Sequence, residues 1–346
     1  MKDIPDESLE MHDLFEHFRF VADQGQAMLR IDKFLANRLE TTSRTRIQAA
    51  AQAGNIIVNN IPVKPNYKVK PGDIIQIMLP HPPREIELVP EDIPIKILYE
   101  DDHVIVIDKE PGMVVHPGYG NYTGTLVNAL MWHFKELPLF SSGEFRPGLV
   151  HRIDKNTSGL LVVAKNEFAL NHLGRQFYNR TTGRLYACLI WGSPENDEDT
   201  ITGNIGRNPK DRKVMYVFPD GSHGKHAVTH YRVLERLGYV SLVECRLETG
   251  RTHQIRVHMS WFKHPLFNDS EYGGDRILKG TTFAKYQQFV RNCFDLLPRQ
   301  ALHARSLSFD HPATGERMSF ESAIPDDMQK VIDKWRNYVA GRNNND

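Results

Sequence analysis

The segment HRIDKNTSGLLVVAK, residues 151–165, places a histidine, an arginine and an aspartate within four residues. Asp154 is the candidate reagent, because an oriented, ionised carboxylate can attack an anomeric carbon. A buried carboxylate stays ionised only if a neighbour offsets its desolvation, which arginine does well through paired donors. Glycosidases need a second carboxylate to deliver a proton, and none is visible near Asp154. The segment therefore favours cleavage of a glycosidic bond whose leaving group is stable as an anion, such as uracil.

A second polar segment is TGRTHQIRVH, residues 249–258. If 253–258 form a strand, Ile255 and Val257 point into a core, because alternate side chains of a strand face opposite sides. A polar face this deep in the chain is typical of a cleft, although a surface strand of a half-solvated sheet fits the same pattern. On this interpretation the cleft is lined by Thr252, Gln254, Arg256 and His258.

Sites for metals and cofactors find little support in the sequence. His253 and His258 would face opposite sides of the strand and could not share a metal. His151 and Asp154 could both reach one ion, but no third ligand stands at a recognisable spacing. Ile153 interrupts a kinase-like H-R-D triplet, and neither HExxH nor GxGxxG occurs. We expect no metal, nucleotide or redox cofactor.

Composition indicates an ordinary globular protein, since 40% of the 346 residues are hydrophobic and 25% are charged. No apolar run approaches the ~18 residues of a membrane helix, and the acidic N-terminus lacks the apolar part of a secretory signal. The 3 cysteines, odd in number and far apart in sequence, argue against a disulfide framework and favour a reducing compartment. We expect a cytoplasmic, monomeric protein that does not associate with membranes.

The chain is long enough for two domains, and a proline-rich stretch marks the boundary. We predict an acidic segment at 1–27, a small domain at 28–79, a semi-rigid linker at 80–95, a large domain at 96–340 and a disordered tail at 341–346. In the large domain, strands outnumber helices without regular alternation, which favours an α+β fold with a mixed or antiparallel sheet. Its predicted strands are 103–108, 160–164, 184–191, 226–234, 239–247 and 253–258, and its helices 125–134, 166–179 and 326–339.

Charge is segregated along the chain although the net charge is zero. Seven acids face two bases in 1–27, whereas eight bases face three acids in 28–79. In the small domain, Thr42 or Ser43 caps a helix that stops at Gly54, which puts Arg44 and Arg46 in its first turn. The helix dipole disfavours cations there unless an anionic group lies nearby. The pattern fits a polyanion partner, or simply two solvated faces.

Five segments in order resemble the RluA-type pseudouridine synthases. They are DKEPGMVVHPG, HRIDKNTSGLLVVAK, RLYACLIWG, LETGRTHQIRVHM and ALHARSLSF, and the resemblance covers roughly 95–325. Residues 28–79 resemble the S-four-type RNA-binding module through RIDKFLANRL, SRTRIQAAAQAG and a Gly-Asp turn. The departures are small, with Ile153 where leucine is common and Arg184 where lysine is common.

The resemblance implies roles for individual residues. Asp154 matches the catalytic aspartate, Arg256 the arginine that pairs with it, and Tyr186 the tyrosine that stacks on the target base. Leu302 matches an apolar residue of the pocket, and Arg152 an arginine that fills the place of the flipped nucleotide. Lys109 and His116 are given a supporting role. Further substrate-binding candidates are His151, Thr157, Arg251 and Gln254, and the RNA-binding candidates are Arg30, Lys33, Arg44, Arg46 and Lys64.

The implied function is isomerisation of uridines to pseudouridine, and the domain order is similar to the branch acting on large-subunit ribosomal RNA. Asp154 would attack the ribose or remove its 2′ proton, and uracil would detach, turn and rejoin through carbon 5. Base flipping costs a few kcal/mol, which phosphate contacts would offset. The alternatives are a synthase acting on transfer RNA and a non-catalytic RNA-binding protein.

Overall fold

The computed structural model describes residues 15–39, 42–79, 88–118, 120–134, 148–211 and 213–343. The chain divides near residue 86 into two compact units. The first half of the predicted linker, 80–87, lies outside the described residues.

The first unit is a four-stranded antiparallel sheet with two helices. Its elements are β1 (Phe15–Val21), α1 (Ile31–Arg38), α2 (Arg44–Gln52), β2 (Ile56–Val58), β3 (Ile61–Pro62) and β4 (Ile74–Leu79), with strand order β1-β4-β2-β3. Ser43 caps α2 by accepting a hydrogen bond from Arg46 N–H. Asn59 and Asn60 both have positive φ, as the turn between β2 and β3 requires. The strand β1 within the predicted acidic segment was not foreseen; it covers the edge of β4.

The second unit is built on a ten-stranded sheet, and among its described strands only β7 and β13 pair in parallel. This confirms the predicted α+β class with a largely antiparallel sheet. The strand order is β10-β9-β11-β12-β8-β13-β7-β6-β5, with β14 paired to β13. The elements are β5 (Lys96–Glu100), β6 (Val104–Lys109), α3 (Leu126–Phe134), β7 (Ser158–Ala164), α4 (Glu167–Asn179), β8 (Gly183–Trp191), β9 (Glu198–Arg207), β10 (Met215–Phe218), β11 (Lys225–Leu237), β12 (Val240–Leu247), α5 (Gln254–Trp261), α6 (Ala284–Leu296), β13 (Leu302–Asp310), β14 (Arg317–Glu321) and α7 (Asp326–Asn343).

The central strand β8 is buried on both faces, which explains its nearly continuous apolar run. Tyr186, Cys188 and Ile190 pack in one core with residues of α3 and α5, whereas the alternate residues pack in another with α6 and α7. Because α7 continues to Asn343, the first residues of the predicted tail are helical, and 344–346 lie outside the described part.

The predicted strand at 253–258 is wrong, because Gln254–Trp261 form the helix α5. His253 has the left-handed φ of 54° and turns the chain into the helix. Alternating polar and apolar residues fitted a strand, but Ile255 and Met259 are both buried, four positions apart, as on one face of a helix. The argument that His253 and His258 face opposite sides of a strand, and so cannot share a metal, therefore no longer applies. His258 is buried against Thr229 in the core, and His253 precedes the helix.

All three cysteines are buried free thiols. Cys188 and Cys245 lie on the paired strands β8 and β12, with their sulfur atoms 3.7 Å apart, a proximity that their sequence spacing did not suggest. Cys293 lies in α6, within the core that α6 and α7 share with β8. Burial raises the pKa of Cys293 to about 12, and the pKa of Cys188 is raised by its contact with Cys245 and by burial.

Candidate active site

A cavity of about 530 Å³ in the second unit is lined by Asp154, Tyr186, Arg256 and Leu302. Asp154 ends the loop that leads into β7, and Thr157 N–H donates to its carbonyl at 3.1 Å, closing a tight turn. The carboxyl side chain is 20% exposed. The structure thus brings together four residues that the sequence spreads over 150 positions.

Two basic residues hold the backbone of the Asp154 loop from behind. Lys109, 2% exposed, donates from Nζ to the carbonyls of Glu110, Met113 and Lys155. Arg299 donates to the carbonyl of Asn156 at 3.0 Å while its other donors bind a carboxylate of α7. Burial lowers the pKa of Lys109 to about 7. These contacts hold Lys155 and Asn156, the two residues that directly follow Asp154 in the loop.

Arg256 reaches Asp154 from α5, with 3.2 Å between Nη1 and Oδ2. Its Nε and Nη2 donate to both oxygens of Asp269, at 2.7 and 2.8 Å, and Nη2 also contacts Glu271. The buried guanidinium is thus oriented by a paired contact and presents its remaining nitrogen to Asp154. The family resemblance implied this pairing, whereas the strand that placed Arg256 on the polar face of a cleft is a helix in the structure.

Tyr186 and Leu302 are two of the apolar residues that line the cavity. They lie on the paired strands β8 and β13, where Ala304 stands opposite Tyr186. Burial raises the pKa of Tyr186, so its phenol is neutral at physiological pH. A neutral ring beside an apolar side chain is suited to hold a planar base.

The further predicted substrate-binding residues occupy different places. Arg152 is exposed at the cavity and forms no ion pair with a described residue. His151 also lines the cavity, but its Nε2 accepts from Val162 N–H and burial lowers its pKa to about 3, so it is neutral. Thr157 is buried and accepts from Gln300 at 3.3 Å.

Gln254 and Arg251 hold the loop that precedes α5. The Gln254 Oε1 accepts from Thr249 and from Arg251 N–H, and its Nε2 donates to Val228 O and Thr229. Both ends of this amide are therefore engaged within the protein. Arg251 donates from Nε to a backbone carbonyl of β11 at 3.1 Å and lines the cavity with its remaining donors.

Several residues of the site were missed at the sequence level. Asp269 and Glu271 follow α5 in the segment NDSEYGG, whose acidic pair was the available signal. His253 lies 3.9 Å from Asp154 and contacts Tyr272 at 2.9 Å. Burial lowers the pKa of His253, which favours the neutral imidazole beside the carboxylate.

Two arginines of the first unit contact one buried carboxylate. Asp32 accepts from Arg30, Arg44 and Gln48, with four of these five contacts from the two arginines. Burial acts to raise the pKa of Asp32, but these hydrogen bonds lower it to about 2. Asp32 is the anionic neighbour that a cation in the first turn of α2 requires. The five RNA-binding candidates are all exposed: Arg30, Lys33, Arg44, Arg46 and Lys64.

Comparison with known proteins identifies both units. A family described as RNA pseudouridylate synthase matches residues 103–261, and one described as S4 domain matches 29–75. An "Uncharacterized RNA pseudouridine synthase" of Chlorobaculum parvum is 50% identical over 317 residues, which cover 91% of this chain and 96% of that protein. The chain belongs to the RNA pseudouridine synthase family. The synthase is also 45% identical to a "Ribosomal large subunit pseudouridine synthase D" of Neisseria meningitidis serogroup A, over 89% of this chain and 79% of that protein.

The fold of the synthase is similar to that of "Human RNA Pseudouridylate Synthase Domain Containing 4", with a TM-score of 0.51 at 24% identity, covering 70% of this chain and 93% of that one. Across the described part of the synthase, no helix has the length and apolar character of a membrane span. No cluster of three potential metal ligands occurs within the same ranges.

Proposed function

We propose that the synthase converts one or more uridines of large-subunit ribosomal RNA to pseudouridine, with Asp154 as the catalytic group. The observation that carries the proposal is Asp154 itself, a carboxylate held by Arg256 in a cavity next to Tyr186. The ribosomal target is supported by the names of relatives such as that of Neisseria meningitidis and by the S4 domain.

The chemistry begins when the target uridine leaves its stack and enters the cavity. Asp154 attacks C1′ of the ribose or removes the 2′ proton, and the bond between C1′ and N1 breaks with its electron pair on uracil. Uracil then turns, and C5 forms the new bond to C1′. In the first route this bond displaces the Asp154 carboxylate from C1′, and in the second route the proton taken up by Asp154 returns to C2′. The C5 proton is lost and N1 is protonated, so that no oxidant or cofactor is consumed.

Substitution of Asp154 tests this assignment. Tritium at C5 of uridine is released to water when C5 rejoins the ribose, so tritium release measures turnover. We expect Asp154→Asn to abolish release while RNA binding is nearly unchanged, because the substitution retains shape and removes only the charge. Residual turnover above about one part in a hundred, against the ~10²–10⁴-fold typical of a positioned catalytic group, would contradict the role.

The target RNA is tested by mapping pseudouridines in ribosomal and transfer RNA from cells with and without the gene. Loss of sites in large-subunit ribosomal RNA is the expected result. Loss confined to transfer RNA would support the alternative target, and no loss in either RNA, together with RNA binding, would support a non-catalytic binding protein.

Deletion of residues 1–80 tests the contribution of the basic unit. Because Lys and Arg contacts to phosphates release counterions, the truncated protein should bind RNA more weakly and with a shallower dependence on salt. An unchanged salt slope would mean that the basic residues of this unit do not contact RNA.

A further inference from the structure

Arg184, in β8, is a buried arginine for which no side-chain hydrogen bond or ion pair is found among the described residues. The residue is 8% exposed, its Nε has no hydrogen-bond partner, and it forms no ion pair with a described residue. Its guanidinium carbon lies 5.5 Å from the centre of the Phe177 ring. That contact with an aromatic face offsets only part of the desolvation of a buried cation.

Unmatched positive charge is a property of the whole cavity. Five arginines and two carboxylates line it, so cations are in excess before substrate binds. Asp154 is engaged by Arg256, and Glu248 by His230 at 2.7 Å and by Arg180 at 3.9 Å. Neither carboxylate is therefore available to neutralise Arg184.

The surroundings of Arg184 hold its guanidinium in place. The Phe177 ring lies near it and also stacks on His151, with 4.5 Å between ring centres. Gly250 is close as well, since a Cβ atom there would approach Nη1 to 3.0 Å. A guanidinium with such close neighbours is preorganised to receive a ligand.

Arg184 also lies next to the residue expected to hold the target base. Arg184 and Tyr186 are two positions apart on β8, so their side chains leave the same face of the strand about 7 Å apart. That spacing is close to the distance between a base and the phosphate of its own or the neighbouring nucleotide. Phosphates are the permanent anions of RNA, and a guanidinium binds them through paired donors.

We propose that Arg184 binds a phosphodiester group of the RNA strand beside the target uridine. The inference rests on the proposed function, because it places the target uridine next to Tyr186. Arg184 would hold the RNA strand while the base occupies the cavity, before the chemical step. Arg184 is a binding residue in this scheme, and the reacting atoms remain with Asp154.

The experiment uses total RNA from cells lacking the gene, tritiated at C5 of uridine, with full-length enzyme in excess. The rate of tritium release against enzyme concentration gives a half-saturating concentration and a limiting rate, each measured at several salt concentrations. The variants are Arg184→Met, which removes the charge at similar volume, and Arg184→Lys, which retains it. Arg232→Met is the control, since Arg232 is an exposed arginine paired with Glu244 away from the cavity.

We expect Arg184→Met to raise the half-saturating concentration about 10- to 100-fold, with a limiting rate within about threefold of wild type. The salt slope should fall by about 0.7, the value of one phosphate contact on a single strand. Arg184→Lys should recover most of the affinity and the slope, and Arg232→Met should change neither. Without RNA, Arg184→Met should melt at a higher temperature than wild type, because an unpaired buried charge has been removed.

An unchanged half-saturating concentration and slope in Arg184→Met would overturn the proposal, whatever its melting temperature. A loss confined to the limiting rate would also overturn it and assign the guanidinium to the uracil during reaction. Failure of wild type to release tritium from this RNA would instead contradict the proposed function, so the two failures are distinguishable.

Discussion

Replacing Arg256 with lysine tests whether the direction of this positive charge, and not only its presence, matters for turnover. The guanidinium donates from Nε and Nη2 to Asp269, and its Nη1 lies 3.2 Å from Oδ2 of Asp154. A lysine ammonium is a compact charge on a flexible stem and does not reproduce this planar fork. Because the buried Asp269 makes two contacts with the guanidinium and Asp154 makes one, we expect the ammonium to remain with Asp269 and to lose Asp154.

The lost contact sets the magnitude of the effect. A hydrogen bond to a charged group contributes about 1.5–3 kcal/mol, and about 1.4 kcal/mol corresponds to tenfold in rate. Arg256→Lys should therefore lower the limiting rate of tritium release about 10- to 150-fold. Arg256→Met is less informative, because it leaves Asp269 as an uncompensated buried charge and should destabilise the fold by about 3–5 kcal/mol.

The assay is single-turnover tritium release with enzyme in excess, accompanied by the melting temperature of each variant. Arg232→Lys is the matched control, since Arg232 pairs with Glu244 at 2.8 Å on the surface and the same substitution should leave the rate unchanged. A limiting rate for Arg256→Lys within about threefold of wild type would refute the reasoning, because the fork geometry would then contribute less than the weakest charged hydrogen bond.

Three further outcomes follow from buried groups. Asp32→Asn should destabilise the first unit by about 2 kcal/mol at pH 7 in hydrogen exchange of α1 and α2. Because the native pKa of Asp32 is lowered to about 2, this difference should shrink as pH falls from about 4 towards 2, and a constant difference would contradict it. Burial lowers the pKa of Lys109 from 10.5 to about 7, so the unfolded state binds more protons than the native state between these pH values. In urea unfolding, the free energy of unfolding of wild type should therefore rise over this pH range relative to that of Lys109→Met. Parallel plots of unfolding free energy against pH for the two proteins would exclude the pKa shift. Gly159→Ala should lower the free energy of unfolding in urea by about 3 kcal/mol or more, because the φ of Gly159 is +109° and a Cβ atom would lie 2.2 Å from Ala304 O. A loss of unfolding free energy below about 1 kcal/mol would show that β7 and β13 can move apart.

Elements with strong local signals were predicted well from the sequence. Ser43 begins α2 as its capping position indicated, and the apolar run after Asp154 forms the buried strand β7. The prediction of a strand at 253–258 was wrong because an alternation of polar and apolar residues over six positions is compatible with a strand or with a helix. Tertiary contacts decide the structure of this segment. The side chain of Gln254 binds the preceding loop to β11, and His253 adopts a left-handed conformation that the sequence pattern does not predict.

The site was only partly predictable, for a similar reason. Asp154 and Tyr186 stand in segments whose resemblance to a family is evident, and their convergence in one cavity agrees with it. Asp269, which orients Arg256, and Arg299, which holds the Asp154 loop, lie outside all of these segments. Arg299, for example, binds the carbonyl of Asn156 across 143 positions, a contact that only the folded sheet creates.

The burial of all three cysteines has a practical consequence for following this enzyme on RNA. Thiol-reactive dyes require an accessible thiolate, and Cys188, Cys245 and Cys293 are each 0% exposed in the folded protein. A single cysteine can therefore be introduced and labelled in the native chain. The three buried cysteines need not be replaced first, and their replacement would leave cavities in the core. An introduced cysteine in place of the exposed Tyr178, which lines the cavity, would carry a fluorophore next to the proposed site of the target uridine. Residual labelling of the unmodified enzyme would then measure local opening, of the sheet at Cys188 and Cys245 or of α6 at Cys293.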